Sequence, residues 1–327
     1  MKLHCINGNF AVINSNRYIK TSVMATILTV ILAAADLLWG GSLGLSGVHV
    51  IWKLRAPRVL TAILAGSSLA LAGTQMQSIL RNPLADPHIM GVSSGASLGA
   101  AIATMLGGSL TGIFHGVSVT LAAFAGALAS ASVILAVSRR FASSTTLLIF
   151  GVMLGFIVNA VVSILQFSSD AESLKTFYSW SAGSFSHTTM PQIAVIGIVL
   201  AIGFMLAFRE RKGLDIILFG DEYARMSGAD TGKIRVTAIL SCCLVTAAVT
   251  AFCGPLGFAG IVAPHIARAM TGTSSHRVIL PVSLLTGSVI TLGADLISQL
   301  SPAPLPVSGT MALIGIPVIL YILLKKP

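Results

Sequence analysis

Charged residues are scarce in this chain of 327 residues, where they make up 9% of the sequence. Soluble proteins carry about 25% charged residues. Hydrophobic residues make up 55% here, and the mean hydropathy is +0.91. No soluble fold of this size could bury so much apolar surface, so the composition excludes a soluble protein. It predicts an all-α, polytopic helical membrane protein.

Acidic residues are the scarcer charge, with 10 Asp and Glu against 20 Lys and Arg, which gives a net charge of +10. In a soluble protein this balance would suggest a nucleic-acid partner. In a membrane protein the positive-inside rule explains it better, so we expect a lipid bilayer around the chain and no nucleic acid. The sequence shows no nucleophile, metal-ligand set or acid–base cluster, so we predict no enzyme site, metal or cofactor.

Only four cysteines occur, without the spacing of a metal site, and no disulfide is predicted. The chain also lacks a nucleotide-binding loop. Gly232 and Lys233 resemble the end of such a loop, but Ser227 stands where its first glycine is needed and Ile234 follows the lysine. ATP hydrolysis would therefore have to come from a partner.

Long apolar runs are abundant. A membrane-spanning helix needs about 20 apolar residues, and we count ten candidate spans in one transmembrane domain that covers residues 1–327. The spans are residues 20–39, 58–80, 88–107, 113–137, 146–167, 191–208, 235–253, 256–271, 278–298 and 306–324. The eighth span contains Pro264, and a proline inside a regular helix costs about 3 kcal/mol. We therefore expect a short or broken helix there, with neighbours that satisfy the freed carbonyl.

Small residues recur every four positions within three of the spans. Such stripes allow helix backbones to approach closely in membranes, where hydrophobicity gives little attraction between helices. The stripes are Gly91, Gly95 and Gly99; Ala122, Gly126 and Ser130; and Gly151 with Gly155.

The distribution of Lys and Arg predicts how the spans are oriented. With both termini in the cytoplasm, sixteen of these twenty residues fall on the cytoplasmic side. Lys53, Arg55, Arg58 and Lys175 then lie outside. This bias places the polar segment 209–235 in the cytoplasm.

Residues 209–235 form the longest polar stretch in the C-terminal half, between two apolar runs. Apolar residues are mixed with charges there, and Gly213, Gly220 and Gly228 bracket them. The pattern predicts one or two short amphipathic helices, separated by glycine turns, outside the bilayer. These helices could dock another protein or rest on lipid headgroups, and the residues alone leave both interpretations open.

Several polar side chains fall inside apolar runs. Polar residues in lipid usually face a partner or a cavity. Asn159 and Gln166 lie about two helical turns apart and share a face, so we predict that they line a transport path. Asp295 could mark proton coupling, but it lies near the end of its span, and a structural hydrogen bond is the favoured interpretation.

Four motifs together resemble the FecCD-type permeases of ATP-binding-cassette importers, which carry iron–siderophore complexes, haem and vitamin B12. They are RNPLADP at 81–87, the stretch GPLGFAGIVAPHIARAMTG at 254–272, RAPR at 55–58 and WSAGSF at 180–185. The resemblance implies ten helices per subunit and a second permease copy, as a homodimer or a paired half-permease. It also implies two cytoplasmic ATPase subunits, a periplasmic substrate-binding protein and a place in the bacterial cytoplasmic membrane.

The resemblance also implies roles for individual residues. Arg55 and Arg58 would dock the binding protein, because exposed charges steer association. Residues 209–235 would couple to the ATPase subunits. The coupling residues would be Leu218, Gly220, Asp221, Glu222, Tyr223, Ala224, Arg225, Met226 and Gly228. The cytoplasmic gate would consist of Asn82, Ser143, Ser144 and Thr145.

The chain departs from the pattern of these permeases on the outer side. Gln299 replaces a usual arginine, Pro304 a usual glutamate and Ser308 a usual glycine. One charge expected for docking is therefore missing. Ser227 also replaces a leucine of the coupling pattern.

The sequence therefore predicts a permease subunit of an ATP-driven importer for an iron chelate, haem or a corrinoid. The alternative is a secondary transporter driven by an ion gradient, which would need a titratable residue near the bilayer midplane. Asp36 and Asp295, the candidates for that role, lie near the ends of their spans.

Overall fold

The computed structural model describes residues 15–38, 50–106, 118–140, 143–301 and 305–325. Every regular element in these ranges is helical. The α-helices are α1 Ser15–Leu38, α2 Ala56–Ile79, α3 Val92–Ala101, α4 Val119–Arg140, α5 Ser144–Phe167, α6 Ala171–Ser181, α7 Met190–Arg209, α8 Arg211–Ile217, α9 Asp221–Met226, α10 Thr231–Cys253, α11 Ala259–Thr271, α12 His276–Ser298 and α13 Val307–Lys325. The polytopic all-helical fold predicted from the composition is confirmed.

Each of the ten predicted spans corresponds to one α-helix. Seven described helices are long and apolar enough to cross a membrane, whereas α3 and α13 are shorter apolar helices. The second span begins earlier than predicted, because the π-helix Ile51–Arg55 continues directly into α2. Pro57 lies in the first turn of the α-helical part, where its fixed φ suits the helix.

Helices α2, α10 and α12 form the centre of the bundle, and most of their residues are buried. Helices α1, α4, α5 and α7 surround them with largely exposed faces. The backbones of α2 and α12 touch at Gly66 and Gly287, where a Cβ on Gly66 would lie 2.7 Å from the Gly287 carbonyl carbon. Small residues thus allow the central helices to pack without intervening side chains.

The predicted small-residue stripes meet one another. A Cβ on Gly95 would lie 2.5 Å from the Gly126 carbonyl oxygen, and a Cβ on Gly99 would lie 2.6 Å from the Ala122 carbonyl carbon. The stripes of α3 and α4 therefore form one close helix crossing. A Cβ on Gly151 of α5 would lie 2.9 Å from the Ile89 carbonyl oxygen, so the third stripe also marks a contact.

Helix α11 is short, as predicted, with 13 residues and a length of about 20 Å. It continues through Pro264, which has no N–H to donate to the carbonyl of Gly260. The amide of Gln77 on α2 replaces the missing donor, with Nε2 3.3 Å from the Gly260 oxygen and 3.3 Å from the Ile261 oxygen. Arg268 holds this amide in turn, by donating to its Oε1 at 2.7 Å.

The bundle has two ends that α7 connects over 20 residues, or about 30 Å. One end carries the short helix α6, which contains Lys175, one of the four basic residues predicted to lie outside. The other end carries α8, α9 and the turn at residues 81–87. We call these the α6 end and the α8–α9 end.

Candidate functional site

The 209–235 segment contains two short helices, α8 and α9, as its amphipathic pattern predicted. Gly220 separates them with a φ of 110°, and Gly228 follows α9 with a φ of 78°. Both angles lie in the left-handed region that favours glycine. Gly213 differs from the prediction, since it lies within α8 and packs against Ile234 rather than forming a turn.

One face of the segment is packed against the bundle. Leu214, Ile217 and Ala224 are completely buried, and α8 contacts the ends of α2, α10 and α12. Burying a leucine or isoleucine contributes about 1.5–3 kcal/mol. The segment is therefore fixed beneath the central helices and does not lie at the perimeter of the bundle.

The other face of the segment exposes large apolar side chains. Met226 is 88% exposed, Phe219 76% and Tyr223 55%, while Leu218 is 38% exposed. The charged side chains of Glu222 and Arg225 are exposed on the same short helix. An apolar cluster with charges around it is typical of a protein-binding surface.

Asp221 is directed towards the bundle, in contrast to its neighbour Glu222. Its Oδ1 lies 2.6 Å from Nη2 of Arg235 on α10, and its Oδ2 lies 3.7 Å from Nη2 of Arg81. The Arg235 side chain is only 1% exposed. A buried guanidinium requires an acid beside it, so these contacts oppose the predicted pairing of Asp221 with an ATPase surface.

Asp215 on α8 holds the first turn of α12. Its Oδ1 accepts hydrogen bonds from the backbone N–H of His276 at 2.7 Å and from Nδ1 of the same residue at 2.6 Å. The Ser275 hydroxyl donates to Oδ2 at 3.3 Å. Asp215 thus caps α12 from another helix, since Ser275 makes no side-chain cap of its own.

The four predicted gate residues lie at the α8–α9 end but have different surroundings. Ser144 is buried, and its hydroxyl donates to the Ile79 carbonyl at 2.8 Å and accepts from Arg235 at 3.0 Å. Ser143 caps α5, Thr145 is exposed, and Asn82 accepts a hydrogen bond from the Leu84 N–H. Ser144 therefore links three helices, whereas Thr145 is free to border a path.

A cleft of about 500 Å³ opens at the α8–α9 end, beside Arg81 and Pro83, the two neighbours of Asn82 in the chain. Basic side chains dominate its polar lining, which includes Arg81, Arg268, His265 and His276. Leu218 of the 209–235 segment borders it as well. The cleft joins the segment to the turn at residues 81–87.

Asn159 and Gln166 both lie on α5, where Asn159 is exposed and Gln166 is half-buried. Large apolar side chains surround them on this face, with Phe156 65% and Phe167 95% exposed. An amide that faced only lipid would be costly. The exposed face of α5 therefore suits a second subunit or a path between two subunits, and the pathway role stays a prediction.

The contacts of Arg58 at the α6 end oppose its predicted docking role. Its Nη2 and Nε lie 2.7 and 2.8 Å from the two carboxylate oxygens of Asp295, and Nη2 also donates to Ser298. The Arg58 side chain is 16% exposed and Asp295 is completely buried. Arg55 donates to the Leu37 carbonyl at 3.0 Å. Asp295 thus has the structural partner that its position near a helix end favoured.

The departures on the outer side differ in their contacts. Gln299 is directed inward, where its amide lies 2.5 Å from Asp36 and 3.3 Å from Asp295. The Ser308 hydroxyl donates to the Ala182 carbonyl at 2.8 Å. Pro304 lies outside the described residues. Lys53, which received no role from the sequence, is an exposed cation at this end.

Helix α6 begins at an exposed cap. The carboxylate of Asp170 accepts hydrogen bonds from the Ser173 hydroxyl and from the backbone N–H groups of Ser173 and Glu172. These bonds, led by that of the Ser173 hydroxyl, lower the pKa of Asp170. A cleft of about 510 Å³ lies beside the helix and is lined by Glu172, Lys175 and His187, among others.

A family model described as the FecCD transport family matches residues 28–325. The chain belongs to this family. The vitamin B12 import system permease protein BtuC of Klebsiella pneumoniae is 33% identical over 289 residues, which cover 88% of this chain and 86% of BtuC. The hemin transport system permease protein HmuU of Yersinia pestis is 32% identical, with 88% of this chain and 87% of HmuU covered.

Solved structures agree with this assignment. A structure described as an inward-facing conformation of a metal-chelate type ABC transporter has a TM-score of 0.84 and 29% identity, and the match covers 94% of this chain and all of that one. PsaBC from Streptococcus pneumoniae shares the fold alone, at a TM-score of 0.54 and 15% identity. This FecCD family chain is thus a multi-pass membrane permease of the ATP-binding-cassette importer class, as its motifs predicted.

Sequence reasoning missed four residues that connect the 209–235 segment of the permease to the bundle. They are Ser78, Asp215, Arg235 and His276. The sequence assigned Arg235 only to the basic residues of the cytoplasmic side. Asp221 at the start of α9 and Arg235 near the start of α10 could have suggested an ion pair. The Asp215–His276 contact joins residues 61 positions apart, and no local pattern indicates it.

Proposed function

We propose that this FecCD family permease translocates a metal chelate, haem or a corrinoid, which a binding protein delivers on the outer side. Two ATPase subunits dock on the 209–235 segment and drive the movement. The names of the relatives support this cargo class, since they include vitamin B12 and hemin permeases. Both termini then lie in the cytoplasm of a bacterial cell, consistent with the excess of basic residues on that side.

The observation that carries the proposal is the two-sided packing of the 209–235 segment. Its inner face is fixed beneath α2, α10 and α12, while Phe219, Tyr223 and Met226 are directed away from the bundle. A helix that rested on headgroups would direct its apolar face to lipid at the edge of the bundle. The geometry instead suits a partner that binds at the α8–α9 end and pushes on the central helices.

In this mechanism the ATPase shifts the permease between two states by binding one of them more tightly. A partner with equal affinity for both states would shift nothing. The gate around Asn82 and Thr145 then changes access to the path. A second copy of the chain completes the path, with Asn159 and Gln166 on the exposed face of α5 towards it.

We propose an outer docking surface that does not include Arg58, although the motifs implied a docking role for it. Arg58 is occupied by Asp295, so Arg55 and the exposed Lys53 and Lys175 remain, among the described residues, as cations that a binding protein could meet. Such rim charges steer association and set its register more than its affinity.

Co-purification and stimulated ATP hydrolysis test the proposal. The tagged permease is expected to bring down a cytoplasmic ATPase, and the reconstituted complex is expected to hydrolyse ATP faster with a loaded binding protein. Binding proteins loaded with a ferric siderophore, haem or a corrinoid identify the cargo. A permease that purifies without an ATPase and moves cargo in response to a proton or sodium gradient would refute the proposal.

A further inference from the structure

Two hydrogen-bond paths lead from the 209–235 segment to the last turn of α2. We propose that Ser78 and Ile79 in this turn receive the movement of the segment through both paths, which start at Asp215 and Asp221. Arg235, Ser144 and His276 act as positioning residues along the way. The inference rests on the proposed function, since it specifies how the push of an ATPase reaches the gate.

The first path starts at Asp221, the first residue of α9. Its carboxylate binds Nη2 of Arg235 at 2.6 Å, and the same Nη2 donates to the Ser144 hydroxyl at 3.0 Å. That hydroxyl donates to the Ile79 carbonyl at 2.8 Å. Three bonds therefore connect α9, α10, α5 and the end of α2.

Burial makes this first path stiff. The Arg235 side chain is 1% exposed and Ser144 is buried. If α9 moved while Arg235 stayed, the guanidinium would lose its acid in a buried site, which is strongly unfavourable. Moving α9 therefore favours a concerted movement of Arg235 and of the first turn of α5.

The second path starts at Asp215 on α8. Its Oδ1 accepts from the backbone and Nδ1 of His276, at 2.7 and 2.6 Å. The other ring nitrogen of His276 lies 2.6 Å from the Ser78 hydroxyl. Ser78 and His276 are 0% and 1% exposed. A shift of α8 thus alters the cap of α12 and the end of α2 together.

The convergence of the paths gives them a function beyond local stability. Ser78 and Ile79 are consecutive and end α2, which is the most deeply buried of the seven described helices that are long enough to cross a membrane. The turn at residues 81–87 follows directly and contains the predicted gate residue Asn82. Arg81 in this turn also faces Asp221 at 3.7 Å. Movement of α8 therefore reaches the end of α2 through Ser78, and movement of α9 reaches it through Ile79.

Removal of the two hydroxyls tests the inference in the complete transporter, reconstituted with its ATPase and its binding protein. Ser144→Ala breaks the first path and Ser78→Ala the second, and neither leaves a new buried charge. Thr74→Ala and Ser138→Ala are the matched controls, because both hydroxyls are buried and, within the described ranges, bond only to carbonyls of their own helix. The measurement is cargo transported per ATP hydrolysed.

We expect each path variant to lower cargo per ATP about fivefold, the effect of one lost hydrogen bond of about 1 kcal/mol. The double variant should lower it further, and both controls should retain the wild-type ratio. ATPase co-purification and thermal stability of the path variants should match those of the controls. Ser144→Thr, which keeps the hydroxyl, should restore the ratio.

Two results would overturn the inference. One of them leaves the proposed function intact, and the other refutes it as well. A wild-type complex that transports with ATP, while the path variants retain its ratio, would refute the paths alone. A wild-type complex that shows no ATP-driven transport would refute the proposed function together with the paths.

Discussion

The ion pair between Arg58 and Asp295 offers a sharp test, because it separates a structural role of Arg58 from a docking role. The perturbations are Arg58→Ala, Asp295→Ala and the double substitution. The two side chains form two short charge-assisted bonds, with Asp295 completely buried and Arg58 16% exposed. Neither partner can lose the other without leaving a largely buried charge.

The magnitude follows from that burial. Removing one partner of a buried ion pair costs about 3–5 kcal/mol. At about 2 °C per kcal/mol for a chain of this size, each single substitution should lower the melting temperature by about 6–10 °C. The double substitution removes both charges, so its loss should fall short of the sum by about 1–3 kcal/mol.

Two assays are needed, thermal melting in detergent and affinity for the loaded binding protein. The double-mutant cycle is expected to show the coupling in stability. Arg55→Ala serves as the control, because Arg55 contacts only a backbone carbonyl among its described partners. If Arg58→Ala left stability unchanged but weakened docking, the structural role derived from the ion pair would be wrong and the docking role implied by the motif would stand.

Three further predictions concern packing, docking and the cap of α6. Gly73→Ala should abolish folded protein in size-exclusion chromatography, because its Cβ would lie 2.5 Å from the Gly260 carbonyl carbon. Gly309→Ala should be tolerated, because a Cβ there has no atom of the described residues within 4 Å. Met226→Asp should weaken ATPase co-purification about tenfold with an unchanged melting temperature, since an exposed apolar anchor is lost; an unchanged yield of ATPase would contradict docking at this residue. The lowered pKa of Asp170 means that its cap is fully present above the ordinary pKa of 3.8 and is lost as the pH falls through the lowered value. Hydrogen exchange of α6 should therefore be unaffected by Asp170 ionisation between pH 5 and 8 and accelerate only in stronger acid, whereas Asp170→Asn should remove that acid dependence.

The sequence predicted most of the fold because each membrane helix produces a local signal, a long apolar run, in its own segment of the chain. Ten apolar runs corresponded to ten helices, and the stripes at Gly95 and Gly126 located a crossing, since both signals depend on neighbours along one helix. Pro264 predicted that a neighbour must satisfy a carbonyl. It did not indicate that Gln77, far away in the sequence, would be that neighbour.

The site was less predictable, because its charges are paired across long sequence separations. The sequence motif predicts that Arg58 is an exposed docking residue. In the structure Arg58 is paired with Asp295, which lies 237 positions away in the chain. The amphipathic pattern similarly predicts that the Asp221 side chain faces away from the bundle. The packing of α9 against α10 instead directs it to Arg235. Composition and spacing place charges at helix ends, but tertiary contacts decide which of them remain free.

The central claim is that the permease converts a push on the 209–235 segment into a changed opening for cargo. Uptake into liposomes tests it most directly, with the permease alone or joined to its ATPase, and with either ATP or an ion gradient supplied. Cargo should accumulate only when ATPase, ATP and a loaded binding protein are all present. Accumulation by the permease alone, driven by an ion gradient and independent of ATP, would contradict the account.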